Sequence, residues 1–191
     1  MIPPWSHSGV LPPFVGADPT GRAGSSPYEA SCSEVANRFG TSDARILLLQ
    51  SWIRYRSALQ AIGFIDGFQW LDGSFLEDAE SRLGRPPNDI DLVTFARRPP
   101  GLTDFNSFVQ TNFSLFSSIA AAKSFSCDAY FVDLDKPANL IVDDTRYWYG
   151  LFSHRRSTFE WKGMIQVPLQ SDDGEAVIIL NSRGAQYAPE T

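Results

Sequence analysis

The sequence predicts a single α/β domain of the α+β kind, a small mixed sheet packed against helices, preceded by an extended arm. Three observations carry this. The first 27 residues are rich in Pro, Gly and Ser and show no periodicity. The stretch after Thr41-Ser42 holds apolar residues at helical spacing. Beyond Gly67, short aromatic or β-branched runs alternate with turn residues.

The arm is residues 1–27, the domain 28–180 and a C-terminal tail 181–191. Trp5, Phe14 and Tyr28 stand among the arm's prolines, and such anchors would fold it over the domain. A first helix is expected over 28–38. A second is expected over 43–62, where Ile46, Leu49, Ile53, Leu59 and Ile62 recur at helical spacing with Arg45, Arg54 and Arg56 among the polar positions. Gly63 ends it. Residues 68–71 read as a strand, 75–83 as a helix, 84–88 as a turn and 90–95 as a second strand. Pro99-Pro100-Gly101 breaks that strand. Residues 105–125 read as one or two helices and 129–134 as a third strand, while 143–152 fit either state. Residues 164–169 and 176–180 fit a late hairpin around Asp172-Asp173-Gly174.

At 191 residues one core can bury about 70% of the unfolded surface, so no disulfide or metal is needed for folding. Cys32 and Cys127 lie far apart and read as buried cytoplasmic thiols. No apolar run is long enough to span a bilayer, and the N-terminus lacks a secretory pattern. A net charge of −6 argues against coating nucleic acid through its phosphates. It does not exclude a nucleotide whose charge is met by metal ions.

The chemistry lies between Gly73 and Asp91. Asp89 and Asp91 are spaced i, i+2, so on a strand they share a face while Ile90 and Leu92 point away. Paired carboxylates suit magnesium, which takes oxygen ligands. Gly73-Ser74 follows a strand and precedes a helix, an arrangement that lets backbone amides approach a phosphate.

These parts resemble the DNA polymerase β-like nucleotidyltransferase superfamily, whose signature is Gly, then Gly or Ser, followed after a short helix by Asp-apolar-Asp. Here it runs Asp72-Gly73-Ser74 and, after the fourteen residues 75–88, Asp89-Ile90-Asp91. The gap is long for that superfamily, and Asp72 stands where an apolar residue is common. Gly9-Val10-Leu11-Pro12-Pro13-Phe14, Ser26-Pro27-Tyr28, residues 67–75 and Phe152-Ser153-His154-Arg155-Arg156 resemble a compact bacterial nucleotidyltransferase family of phage-defence operons. They are similar to the synthetase of the Hailong system, which makes single-stranded DNA oligomers without a template. The resemblance implies a third carboxylate on a neighbouring strand just ahead of an apolar run, a form that Asp128 fits. Asp133 and Asp135 on the other strand face are the rival pair, since alternation forbids Asp128 and Asp133 from facing one point. The same resemblance implies two Mg2+ ions, or Mn2+ in their place, on Asp89, Asp91 and that third carboxylate. It also implies a (d)NTP substrate and an acceptor hydroxyl near the C-terminus, at Tyr187 or Thr191, with Ser182 behind them.

Other residues have plainer readings beside functional ones. His154, Arg155 and Arg156 could meet a triphosphate or an acceptor, or form a solvated basic cluster, and Lys162 is similar. Tyr147, Trp148 and Tyr149 could stack a base or pack a core. Arg54 and Arg56 fit surface pairing, and His7 belongs to the arm. The expectation is a cytoplasmic Mg2+-dependent nucleotidyltransferase that releases pyrophosphate. Its product would be a short oligonucleotide in anti-phage defence, with a partner effector or antitoxin protein. One alternative is a toxin-type enzyme modifying a tRNA, a protein or a small molecule. Another is a non-catalytic nucleotide-binding or antitoxin-like module. The oligomeric state is left open.

Overall fold

A computed structural model describes residues 1–18 and 21–187, with side chains as far as residue 184. Its centre is a five-stranded mixed sheet in the order β1-β5-β2-β3-β4, with β1 at Tyr28–Glu29, β2 at Gly67–Asp72, β3 at Ile90–Ala96, β4 at Cys127–Asp133 and β5 at Ile165–Pro168. β2 runs antiparallel to both β3 and β5, while β4 is parallel to β3 and β1 to β5. The α+β class is as expected.

Alternation along β2 and β3 divides the sheet into two faces. Leu71, Ile90 and Leu92 enter the larger core with α1 (Cys32–Phe39), α2 (Asp43–Ala61) and α8 (Asp173–Tyr187). Trp70, Val93, Phe95 and Val132 enter a smaller core closed by Trp148 and Phe152 of α7 (Ala138–Phe152). No helix among the described residues is long and apolar enough to cross a membrane.

The helices begin where their caps dictate. Ser31 and Glu34 close a reciprocal capping box on α1, and the Ser42 hydroxyl accepts from the Arg45 amide at the start of α2. The box explains why a helix over 28–38 does not form: Tyr28 and Glu29 are drawn into β1, with the Tyr28 amide donating to Met164 O. Residues 75–83 are not one helix either. Ser74–Leu76 is a 3-10 turn, Glu77 is extended, and α3 covers Ala79–Leu83 with Asp78 as its cap. Residues 105–125 form three short helices, α4 (Phe105–Thr111), α5 (Phe113–Phe116) and α6 (Ser118–Phe125).

The expected late hairpin is absent. Residues 165–168 are β5, but 176–180 lie within α8, where Ala176 and Leu180 are buried one turn apart and Ile178 is exposed. Burial at i, i+4 overrides the strand preference of Val177-Ile178-Ile179. The same helix crosses residue 180, so 181–187 are helical. Thr191 lies outside the described residues, as does the side chain of Tyr187.

Two arginines expected among the polar positions of α2 are fully buried. Arg56 pairs with Asp173 at 2.9 Å and donates to the carbonyls of Pro168 and Leu169, which ties α8 to the end of β5. Arg45 donates to Glu80 and to the carbonyls of Phe75 and Glu77. It thereby fastens the turn that follows β2. Arg54 is exposed.

The arm lies across the domain as a strap. Trp5 donates from Nε1 to Leu76 O at 2.7 Å, and Val10 and Leu11 are buried. Asp78 N donates to Gly9 O, Gly163 N to Leu11 O, and the Tyr28 hydroxyl to Pro12 O. Phe14 is exposed and is not an anchor.

Candidate active site

β2 ends in Asp72, on the sheet face of the smaller core. Register sets Asp72 opposite Asp91 on β3, and Asp91 beside Asp128 on β4. Paired positions on neighbouring strands share a face, so three carboxylates form a row across three strands. Asp89 stands two residues ahead of Asp91, just before β3 begins.

Gly73 follows with φ +81, the left-handed region that favours glycine. A Cβ built there would overlap Asp91 Oδ2. The Asp91 carboxylate therefore rests against the one backbone position with no side chain. Ser74 opens the 3-10 turn held by Arg45.

A cavity of about 510 Å³ opens at this end of the sheet. Asp72, Asp89, Asp91 and Asp128 line it together with Gly73 and Ser74. Its cations are Arg85, Arg156, Arg155 and Lys162. Lys162 and Asp72 are each about 5% exposed, with Nζ 2.9 Å from Asp72 Oδ1 and 3.5 Å from Glu77 Oε1. The lysine offsets the charge of Asp72 through this contact. Arg155 pairs with Glu77 at 3.0 Å and Glu160 at 2.8 Å. Arg85 and Arg156 close no ion pair among the described residues; Arg85 donates only to its neighbour's carbonyl at Pro86.

The acids carry the mark of crowding. Burial, then the charges of Asp89 and Asp128, push Asp91 up to about 6, against the pull of Lys162 and Arg156. Burial also pushes Asp72 to about 6 despite Lys162. Asp89 is raised by burial and by Asp128. Like charges gathered in one cleft call for a cation. Among the described residues, no three acidic, His or Cys side chains stand in a preformed cation cage. The carboxylates share a wall without closing on one point. Their oxygen-only chemistry fits a hard divalent ion that keeps several waters.

The structure thus brings together Gly73, Ser74, Asp89, Asp91, Asp128 and Arg156. It does not bring Asp133, which sits at the far end of β4, accepting from Arg98 Nε at 2.9 Å and from the Asp135 amide. Tyr147 is 59% exposed on α7 and does not line the cavity, whereas Trp148 packs the smaller core. Tyr130 donates to Asp128 Oδ2 at 3.3 Å. Lys162 and Arg155, for which the sequence leaves open a ligand contact or a solvated cluster, are buried in ion pairs at the cavity. Glu77 and Arg85 were not marked by any motif. The period-2 pattern of residues 153–156 could have exposed Arg155; nothing local marks Lys162.

An α+β domain with an acidic, arginine-bearing cavity at the end of three adjoining strands is the class that fold and site define. The chain belongs to the family of unknown function DUF6932, which matches residues 3–168 and so includes every strand and every cavity-lining residue. No curated protein and no solved structure matches it.

Proposed function

We propose that this protein is a Mg2+-dependent nucleotidyltransferase of the polymerase β-like kind. It would transfer a nucleotide from a (d)NTP to a hydroxyl acceptor. One observation carries the reading: Asp91 rests against Gly73 with Asp128 beside it on β4 and Asp89 just ahead, in a cavity that also holds Arg85 and Arg156, which close no ion pair among the described residues. Carboxylates alone would repel a triphosphate, and arginines alone would not need the acids. A metal-bound triphosphate satisfies both.

Asp89, Asp91 and Asp128 would hold the divalent ions, Mg2+ or Mn2+. When bound, such ions neutralise the triphosphate and ease deprotonation of the attacking hydroxyl. The Gly73-Ser74 turn offers backbone amides and a hydroxyl to the β and γ phosphates, and Arg85 offers positive charge to the leaving group. The hydroxyl gives its proton to Asp128. Its oxygen bonds to the α-phosphorus as the bond to pyrophosphate breaks.

α8 packs on the sheet face away from the cavity. That favours an external acceptor over the hydroxyl of Tyr187 in the same chain. Oligonucleotide synthesis in phage defence, and a partner effector or antitoxin, rest on the sequence resemblance alone.

The test is incubation with each labelled NTP and dNTP, Mg2+ or Mn2+, and short oligonucleotides, scored for pyrophosphate and extended product. Asp89→Ala/Asp91→Ala should abolish release while preserving the circular dichroism spectrum. Absence of pyrophosphate from every nucleotide and acceptor would overturn the enzyme reading.

A further inference from the structure

Residues 153–162 form a small hairpin at the cavity's rim. Arg155 N donates to Glu160 O and Lys162 N to Ser153 O, both at 2.9 Å, and His154 bridges Trp161. Side chains alternate across such a hairpin. One face carries Arg155 and Lys162, which are buried in ion pairs with Glu77, Glu160 and Asp72. The other face carries His154, Arg156 and Trp161. The turn adds Phe159, 80% exposed and held at φ +55, a conformation that bulky residues rarely adopt.

The outward face is built to meet something. Trp161 is 65% exposed, and it is the only one of the five tryptophans that is exposed. The His154 ring meets it edge-on at 5.4 Å between centroids. His154 and Arg156 also line the cavity, so the aromatic surface continues directly from it. Buried ion pairs fix the hairpin from behind, so its aromatics are presented on a rigid support. A flat indole beside a free guanidinium and an imidazole suits a nucleobase followed by a phosphate.

We propose that Trp161, with Phe159 and Arg156, is the stacking platform for the terminal base of a single-stranded polynucleotide acceptor. This rests on the nucleotidyltransferase reading. The cavity has the volume of a small-molecule site and takes the incoming nucleotide. Trp161 lies outside it, one side chain further out, where the acceptor strand would approach. With few cations on this surface, stacking rather than phosphate contacts carries the affinity, in keeping with the net charge of −6.

The test uses the full chain in EDTA, so that binding is read without turnover. Short single-stranded oligodeoxynucleotides should quench tryptophan emission and protect it from acrylamide, because Trp161 is the exposed indole. Trp161→Ala should weaken binding by about 5- to 150-fold, and Trp161→Phe should recover most of it. Affinity should fall with salt at a log–log slope of roughly −0.7 to −1.4, the value for one or two phosphate contacts on a single strand. Unchanged affinity in Trp161→Ala, or no binding by the wild type, overturns the platform. Quenching by free NTP but not by oligonucleotide assigns the surface to the incoming base and overturns the acceptor role. Failure of the enzyme reading is seen separately, as absence of pyrophosphate release from the metal-loaded protein.

Discussion

Replacing Asp91 by Asn should stabilise the metal-free protein while removing its activity. The folded protein holds the Asp91 carboxyl at about 6, against an ordinary value of 3.8. That is roughly two pH units, each worth about 1.4 kcal/mol, so the ionised group costs the fold about 3 kcal/mol. The sign follows from linkage. Below the unfolded value, both states are protonated and nothing is lost. Between 3.8 and about 6, the unfolded chain releases its proton first and stability falls; above about 6 the full cost is present. Asn is uncharged throughout. Asp91→Asn should therefore gain about 3 kcal/mol at about pH 7.5 and only about 0.5 kcal/mol at about pH 4. In a chain of this size the neutral-pH gain corresponds to a rise in Tm of roughly 6–12 °C. Urea unfolding in EDTA, followed by circular dichroism at both pH values, measures it. Mg2+ should stabilise the wild type and not the variant. A pH-independent gain, or a loss at neutral pH, would refute the view of Asp91 as a carboxylate held up by burial and, next, by the charges of Asp89 and Asp128.

Three other substitutions probe the supports of the site. Gly73→Ala should reduce pyrophosphate release on the order of 10²-fold, because its Cβ displaces the Asp91 carboxylate; a variant with wild-type rates would exclude the close approach. Arg45→Met should cost about 2–3 kcal/mol in urea unfolding, since it leaves the buried Phe75 carbonyl and the part-buried Glu77 carbonyl without this donor. Lys162→Met should cost about 3 kcal/mol near neutral pH by leaving Asp72 buried without a cation, and adding Asp72→Asn should restore most of it. Additive losses in that double variant would rule out the pair.

The legible parts of the site were those set by local rules. Alternation alone puts Asp89 and Asp91 on one face of a strand, and it separates Asp128 from Asp133 without saying which faces the cavity. The β3–β4 register decides that. The illegible parts depend on partners distant in sequence. Lys162 is buried because Asp72, ninety residues earlier, waits beside it, and Arg45 and Arg56 because each meets a carboxylate and backbone carbonyls, at the β2 turn and at the end of β5. α8 was misread because Val177-Ile178-Ile179 suits a strand in isolation, whereas burial of Ala176 and Leu180 against α1 and α2 selects a helix.

Asp72 joins these threads. An apolar residue there would spare the fold a buried charge, yet Asp72 occupies the end of the row that Asp91 and Asp128 continue. Its negative charge requires Lys162, and Lys162 belongs to the rim hairpin. The ion pair thus fastens the hairpin to the strand that carries Gly73. Arg155 fastens the same hairpin to Glu77, just beyond the 3-10 turn, and to the arm through Ser8 O. A hairpin held this way cannot swing independently of the turn at Gly73. The surface displaying Trp161 and Arg156 keeps a set position relative to Asp91 and Asp128. For attack in line on an α-phosphorus, that fixed relation between acceptor platform and carboxylates is what orientation demands.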